Sequence, residues 1–204
     1  MKRVRCYIDG FNLYHAIEAL NKPHLKWLNL RKLAESFVRD GEILDEVHFF
    51  TALSTSNGQK YKRHANYMAV LESVGVQVHR GEFQSVDRFC NRHEQMCPFQ
   101  EEKRTDVGIA VKMLCDAFDG TERFLLITAD ADQVPTLEAI AGRYRDRNVT
   151  LIAPPGRLSI ARKLGSVATE YRELTEGQMT ANMFARNVYR PDGKFLAAMP
   201  SSYL

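Results

Sequence analysis

Short apolar runs rich in β-branched and aromatic residues recur along this chain, and each is followed by a stretch with helical spacing. The runs are Val4–Ile8, Val47–Phe50, Val74–Val78, Phe124–Thr128 and Val149–Ala153. They are apolar nearly throughout instead of alternating, as strands covered on both faces must be. The succession predicts an α/β fold, a three-layer sandwich whose central sheet is mostly parallel, for which a strand order of about 3-2-1-4-5 is one arrangement. Helices are expected at Leu30–Arg39, Lys60–Leu71, Asp106–Phe118, Pro135–Tyr144 and Leu158–Val167. In the third, Val107, Ala110, Val111, Leu114 and Phe118 recur at i, i+3, i+4 and i+7, which predicts a core-facing stripe.

The 204 residues suit one domain with an appendage. Two segments break the pattern, Glu82–Arg104 and a tail from about Leu174. The expected organisation is therefore a main domain over 1–173 with an insertion at 82–104, and a C-terminal extension over 174–204 packing on it. In the tail, Pro191-Asp192-Gly193 lies between Val188-Tyr189 and Phe195-Leu196 and signals a turn.

The start carries positive charge but no apolar leader segment, and no stretch approaches the roughly 18 apolar residues of a membrane span. Four cysteines are too few for a disulfide framework. A cytoplasmic protein with no membrane partner is expected, and a homodimer is compatible with the sequence. Net charge is only +3, so total charge does not single out nucleic acid. Locally, Arg143, Arg145, Arg147, Arg157, Arg162 and Lys163 stand against Asp146 alone, an excess that would attract phosphate.

Acids sit where a doubly wound sheet does chemistry. The first strand ends in Asp9-Gly10-Phe11-Asn12, the fourth in Thr128-Ala129-Asp130-Ala131-Asp132-Gln133-Val134-Pro135, and ligands of such sheets bind outside the carboxyl ends of the strands. If strands one and four are neighbours, Asp9 and Asp130 converge, and Asp106 at a helix start closes a triangle. Clustered carboxylates without thiol or imidazole suit Mg²⁺ or Mn²⁺. Singly, each acid also has a structural explanation, as a turn former, an N-cap or a first-turn acid. Other enzyme classes fit poorly. Phe11 occupies the position of the second aspartate of a haloacid dehalogenase phosphatase, no Gly-x-x-x-x-Gly-Lys-Ser/Thr loop exists, and the first turn lacks a dinucleotide-binding glycine pattern.

Tyr7-Ile8-Asp9-Gly10-Phe11-Asn12-Leu13, Glu102-Lys103-Arg104-Thr105-Asp106-Val107 and Thr128 to Pro135 together resemble three ordered blocks of NYN-domain proteins, a LabA-like branch of the PIN-like nucleases. The resemblance covers about residues 3–170. It implies a PIN-like Rossmannoid sheet and a metal-dependent ribonuclease, with Asp9, Asp106 and Asp130 as metal ligands, Asp132 as a further ligand or base, and RNA as partner. Asn12 carries over as a site residue, and Lys103 and Arg104 are candidates for phosphate contact. Thr128-Ala129 replaces the family's Ser-Gly and Gln133 its Phe. Those departures leave room for a non-catalytic RNA-binding protein on the same fold.

Three further features are notable. Lys60, Lys62 and Arg63 would extend a backbone-binding track. Tyr7, Phe11 and Tyr14 are candidates for base stacking, with core packing expected for Tyr7 and Phe11, and His15 is a weak candidate general acid. Cys90-x-x-His93-x-x-x-Cys97 offers three zinc ligands, with His79 or Cys115 as a fourth, although ordinary reduced cysteines are the simpler reading.

Overall fold

The computed structural model describes residues 1–53, 58–90 and 92–203, without the side chains of 98–102. In chain order the elements are β1 (Lys2–Asp9), α1 (Gly10–Ala19), α2 (Leu30–Glu35), β2 (Glu42–Ala52), α3 (Gly58–Ser73), β3 (Val76–Cys90), β4 (Gln95–Lys103), α4 (Thr105–Phe118) and β5 (Arg123–Ile127). They continue with α5 (Val134–Arg143), β6 (Asn148–Ala153), α6 (Arg162–Gly165), β7 (Glu170–Glu173), α7 (Glu176–Ala181), β8 (Asn187–Tyr189) and β9 (Phe195–Ala198).

Seven strands form one sheet in the order β4-β3-β2-β1-β5-β6-β7. The five strands expected from sequence keep the order 3-2-1-4-5 inside it and are all parallel, and β7 adds a parallel edge. The other edge, β4, runs antiparallel to β3 from Glu82↔Lys103 to Cys90↔Gln95. Thus 82–90 and 95–103 form a long antiparallel pair in which β3 runs on past its pairing with β2. Edge strands β4 and β7 carry no continuous apolar run, which hides them from periodicity.

Alternating residues of β1 feed two cores, the mark of a sheet covered on both faces. Val4, Cys6 and Ile8 pack with Leu13, Ile17, Leu33, Val70 and Leu71 from α1, α2 and α3. Tyr7 packs on the other side with Ile109, Met113, Leu137, Ile140 and Leu164 from α4, α5 and α6. The first layer also takes Leu174, Met179, Phe184 and Ala197 from the tail, whose β8 and β9 pair as a hairpin across the Pro191-Asp192-Gly193 turn. Trp27 anchors it by donating its indole N–H to the Ala185 carbonyl, 2.9 Å away.

Two expectations are corrected. The α4 stripe of Val107, Val111 and Phe118 faces outward at 66%, 54% and 78% exposure, while Ile109, Met113, Asp116 and Ala117 face the sheet. The helix is apolar on two sides, so spacing alone does not choose between them. The choice falls to Asp116, whose carboxylate accepts the buried hydroxyl of Tyr7 at 2.6 Å and pairs with Arg5 and Lys112. The second correction is α1, absent from the expected helices although Leu13, Ala16 and Ile17 supply its buried spacing. Asp9-Gly10 resembles a turn, but Asp9 is the N-cap of this helix.

Candidate metal centre and nucleic-acid interface

Adjacent β1 and β5 pair in parallel up to Ile8↔Ile127, so the residues that follow, Asp9 and Thr128, leave the sheet side by side. Thr128 Oγ1 donates to Asp9 Oδ2 at 2.8 Å and accepts the Asp130 backbone N–H at 3.1 Å. Asn12 N–H donates to Asp9 Oδ1 at 2.9 Å, and Asn12 Oδ1 accepts the Ala129 N–H at 3.1 Å. Asp130 Oδ1 in turn accepts the Asp132 N–H at 2.9 Å. Both aspartates therefore cap the turns they open. Capping and cation binding are compatible, since a carboxylate has about four lone-pair sites.

Asp106 arrives from a distant part of the chain, on the first turn of α4. Gln133 braces it there, donating Nε2–H to the Asp106 carbonyl at 3.0 Å while its Oε1 accepts the Thr136 hydroxyl at 3.2 Å. One oxygen each from Asp9, Asp106 and Asp130 then lies within 4.8 Å of the others. Burial, followed by the charges of Asp9, Asp130 and Asp132, pushes the Asp106 carboxyl up to about 6. An all-oxygen donor set whose members repel one another fits a hard divalent cation, which would relieve that repulsion. Asp132 is exposed and lies outside the group of three.

A second acidic group, Glu46, His48 and Asp116, is equally compact but electrostatically different. Arg5 and Lys112 neutralise it. Burial works to raise the Asp116 carboxyl, yet hydrogen bonds from Lys112 and Tyr7 and the Arg5 charge outweigh it and hold it low. This is a structural ion network under α4.

The other sequence candidates scatter. Arg104, exposed, pairs with Glu82, and Lys103 precedes it at the end of β4, while the Glu102 side chain of the same motif lies outside the described residues. Tyr7 is buried in the core, whereas Phe11 is not: it is 46% exposed, with His15 edge-on 4.3 Å away. The basic run divides by topology. Arg143, Arg145 and Arg147 precede β6 at the far end of the sheet, and only Arg157, Arg162 and Lys163 follow it on the carboxyl-end side.

What spacing did not reveal is a cleft of about 520 Å³ between α1 and α3 that begins at Gly10 and Phe11, beside Asp9. Tyr14, Tyr61, Phe83, Tyr203, His15 and His64 line it together with Lys26, Lys60 and Arg63. Aromatic faces beside cations are the surfaces on which unpaired bases stack and backbones rest.

A model of the NYN domain matches residues 3–175. The chain belongs to the NYN domain family. The NYN domain is a PIN-like nuclease superfamily domain. No curated protein matches the chain. This NYN domain resembles in fold the crystal structure of a protein of unknown function from Vibrio parahaemolyticus, at 18% identity, covering 86% of this chain and 94% of that one with a TM-score of 0.60. That likeness concerns the fold alone. Among the described residues, no helix of the NYN domain or its tail is long and apolar enough to cross a membrane. Thr128 supplies the hydroxyl that a serine would, and Gln133 is a buried brace for Asp106.

Proposed function

We propose that this NYN domain is a ribonuclease dependent on Mg²⁺ or Mn²⁺. The observation that carries the reading is the convergence of Asp9, Asp106 and Asp130 from three separate segments to within 4.8 Å. These three would hold the cation, which when bound supplies neutralisation of phosphodiester charge and an activated water. Asp132, exposed and two residues after Asp130, would serve as a further ligand or as the base that takes a proton from the water. Asn12 and Thr128 orient the Asp9 carboxylate through their hydrogen bonds. The aromatic and basic cleft beside Asp9 receives unpaired bases and supports RNA over a small substrate, with Lys103 and Arg104 contributing to phosphate contact.

The test is cleavage of a defined single-stranded RNA panel with Mn²⁺. Loss of cleavage in Asp9→Asn/Asp130→Asn is the expected result, and undiminished cleavage by that double variant overturns the mechanism. RNA binding without any cation-dependent cleavage would favour a non-catalytic RNA-binding protein.

A further inference from the structure

We propose that Cys90, His93 and Cys97 form a zinc site at the tip of the β3–β4 hairpin, separate from the carboxylate centre. In this antiparallel pair Cys90 opposes Gln95 and Cys97 opposes Arg88. Side chains alternate along a strand, so residues 88, 90, 95 and 97 share one face, and the two sulfurs emerge on the same side. His93, in the turn between the strands, folds onto that face. Its Nδ1 lies 3.6 Å from Cys90 Sγ and 3.5 Å from Cys97 Sγ.

Those separations match a coordination tetrahedron. With Zn–S about 2.3 Å and Zn–N about 2.0–2.1 Å, tetrahedral angles put sulfur and nitrogen about 3.5–3.6 Å apart. Two thiolates and an imidazole select zinc over the hard cations that suit Asp9, Asp106 and Asp130. Binding displaces the two thiol protons into solvent, with no change of oxidation state. The fourth position goes to water, because the group contains three protein ligands among the described residues and the tip faces solvent.

The hairpin has a physical need for such a staple. Beyond the sheet its cross-strand pair Phe89 and Met96 is exposed, and an uncored two-stranded hairpin is marginal in water. Its second strand runs directly into α4 and Asp106, so ordering the tip steadies the approach to the carboxylates.

The test uses the full chain, stripped with chelator under reducing conditions and titrated with Co²⁺ alone and then Zn²⁺. One Co²⁺ per chain with a sulfur-to-cobalt charge-transfer band, displaced by one equivalent of Zn²⁺, is expected. Cys90→Ser/Cys97→Ser should abolish the band and weaken Zn²⁺ binding at least ~100-fold. Should that variant fold poorly, His93→Ala at the exposed turn should weaken Zn²⁺ binding ~10–100-fold with unchanged circular dichroism. Asp9→Asn/Asp130→Asn should keep the band, which separates this site from the proposed nuclease centre. A wild-type chain without a thiolate band contains only a hydrogen-bonded thiol–imidazole group and overturns the proposal, as does zinc binding indifferent to the cysteine changes.

Discussion

The side-chain oxygen of Asn12, in the first turn of α1, accepts the backbone N–H of Ala129, beyond the end of β5, at 3.1 Å. The bond ties the segment carrying Asp9 to the one carrying Asp130. Ala129 is buried, so Asn12→Ala leaves its N–H without a partner, which costs about 1–3 kcal/mol. Urea denaturation should register that loss, and RNA cleavage should fall further than stability accounts for, because the two carboxylates lose their common brace.

Thr128 makes the other link between these aspartates. Thr128→Val keeps the shape and removes the hydroxyl that bonds Asp9 Oδ2 and the Asp130 N–H. Stability should drop by about 1–3 kcal/mol, and Mn²⁺ affinity with it. Thr128→Ser retains the hydroxyl and should bind Mn²⁺ as the wild type does in calorimetry.

The raised Asp106 carboxyl sets a pH dependence. A group whose folded pKa exceeds its ordinary value contributes stability below that ordinary value and loses it as pH rises through the folded one, here from 3.8 to about 6. In chelator, wild type should therefore lose stability relative to Asp106→Asn across that window. Mn²⁺ should restore it above about pH 6, where the carboxylate is ionised and can bind. Thermal unfolding over a pH series with and without Mn²⁺ checks both parts, and parallel curves would count against the assignment of Asp106 as a ligand.

Gly10 permits the close approach of α1 to β2. A Cβ there would lie 2.6 Å from both Phe49 Cε2 and the Phe50 carbonyl oxygen, and backbone cannot yield as a flexible side chain can. Gly10→Ala should destabilise by at least ~1–3 kcal/mol, the usual cost of overpacking, with Asp9 displaced and cleavage lost. Fluorescence-monitored denaturation and the RNA assay together would show it.

Asp116→Asn should separate structure from chemistry. It strips Arg5 and Lys112 of a buried partner, and breaking such pairs costs about 3–5 kcal/mol. The lower end is expected here, since the Lys112 side chain is 28% exposed. Calorimetry with Mn²⁺ at a temperature where the variant is folded should give unchanged stoichiometry, because this network is already neutralised.

Much of the fold was written locally. Runs such as Phe124–Ile127 are apolar on both faces, and only a sheet with two covered faces buries them. Asp9 and Asp130 were equally legible, because parallel topology carries residues after strand ends to one edge. Gln133 was visible only as a departure from a family pattern, since its bond to the Asp106 carbonyl joins residues 27 positions apart. The cleft escaped for a similar reason. Its walls come from α1, α3 and the C-terminal Tyr203, which no local spacing connects.

The sequence by itself therefore determined the layered α/β architecture and the placement of Asp9 and Asp130 after strand ends, while the order of the strands came from the tertiary pairing. Periodicity and right-handed parallel crossovers act over a few residues to a few tens and leave little choice. Tertiary structure decided which face of α4 is buried, which acidic group is neutralised and which is left mutually repelling, and that Phe11 opens a cleft instead of filling the core. These outcomes depend on charges and volumes brought together across more than a hundred residues, as when Arg5 meets Asp116, 111 positions away, beneath α4.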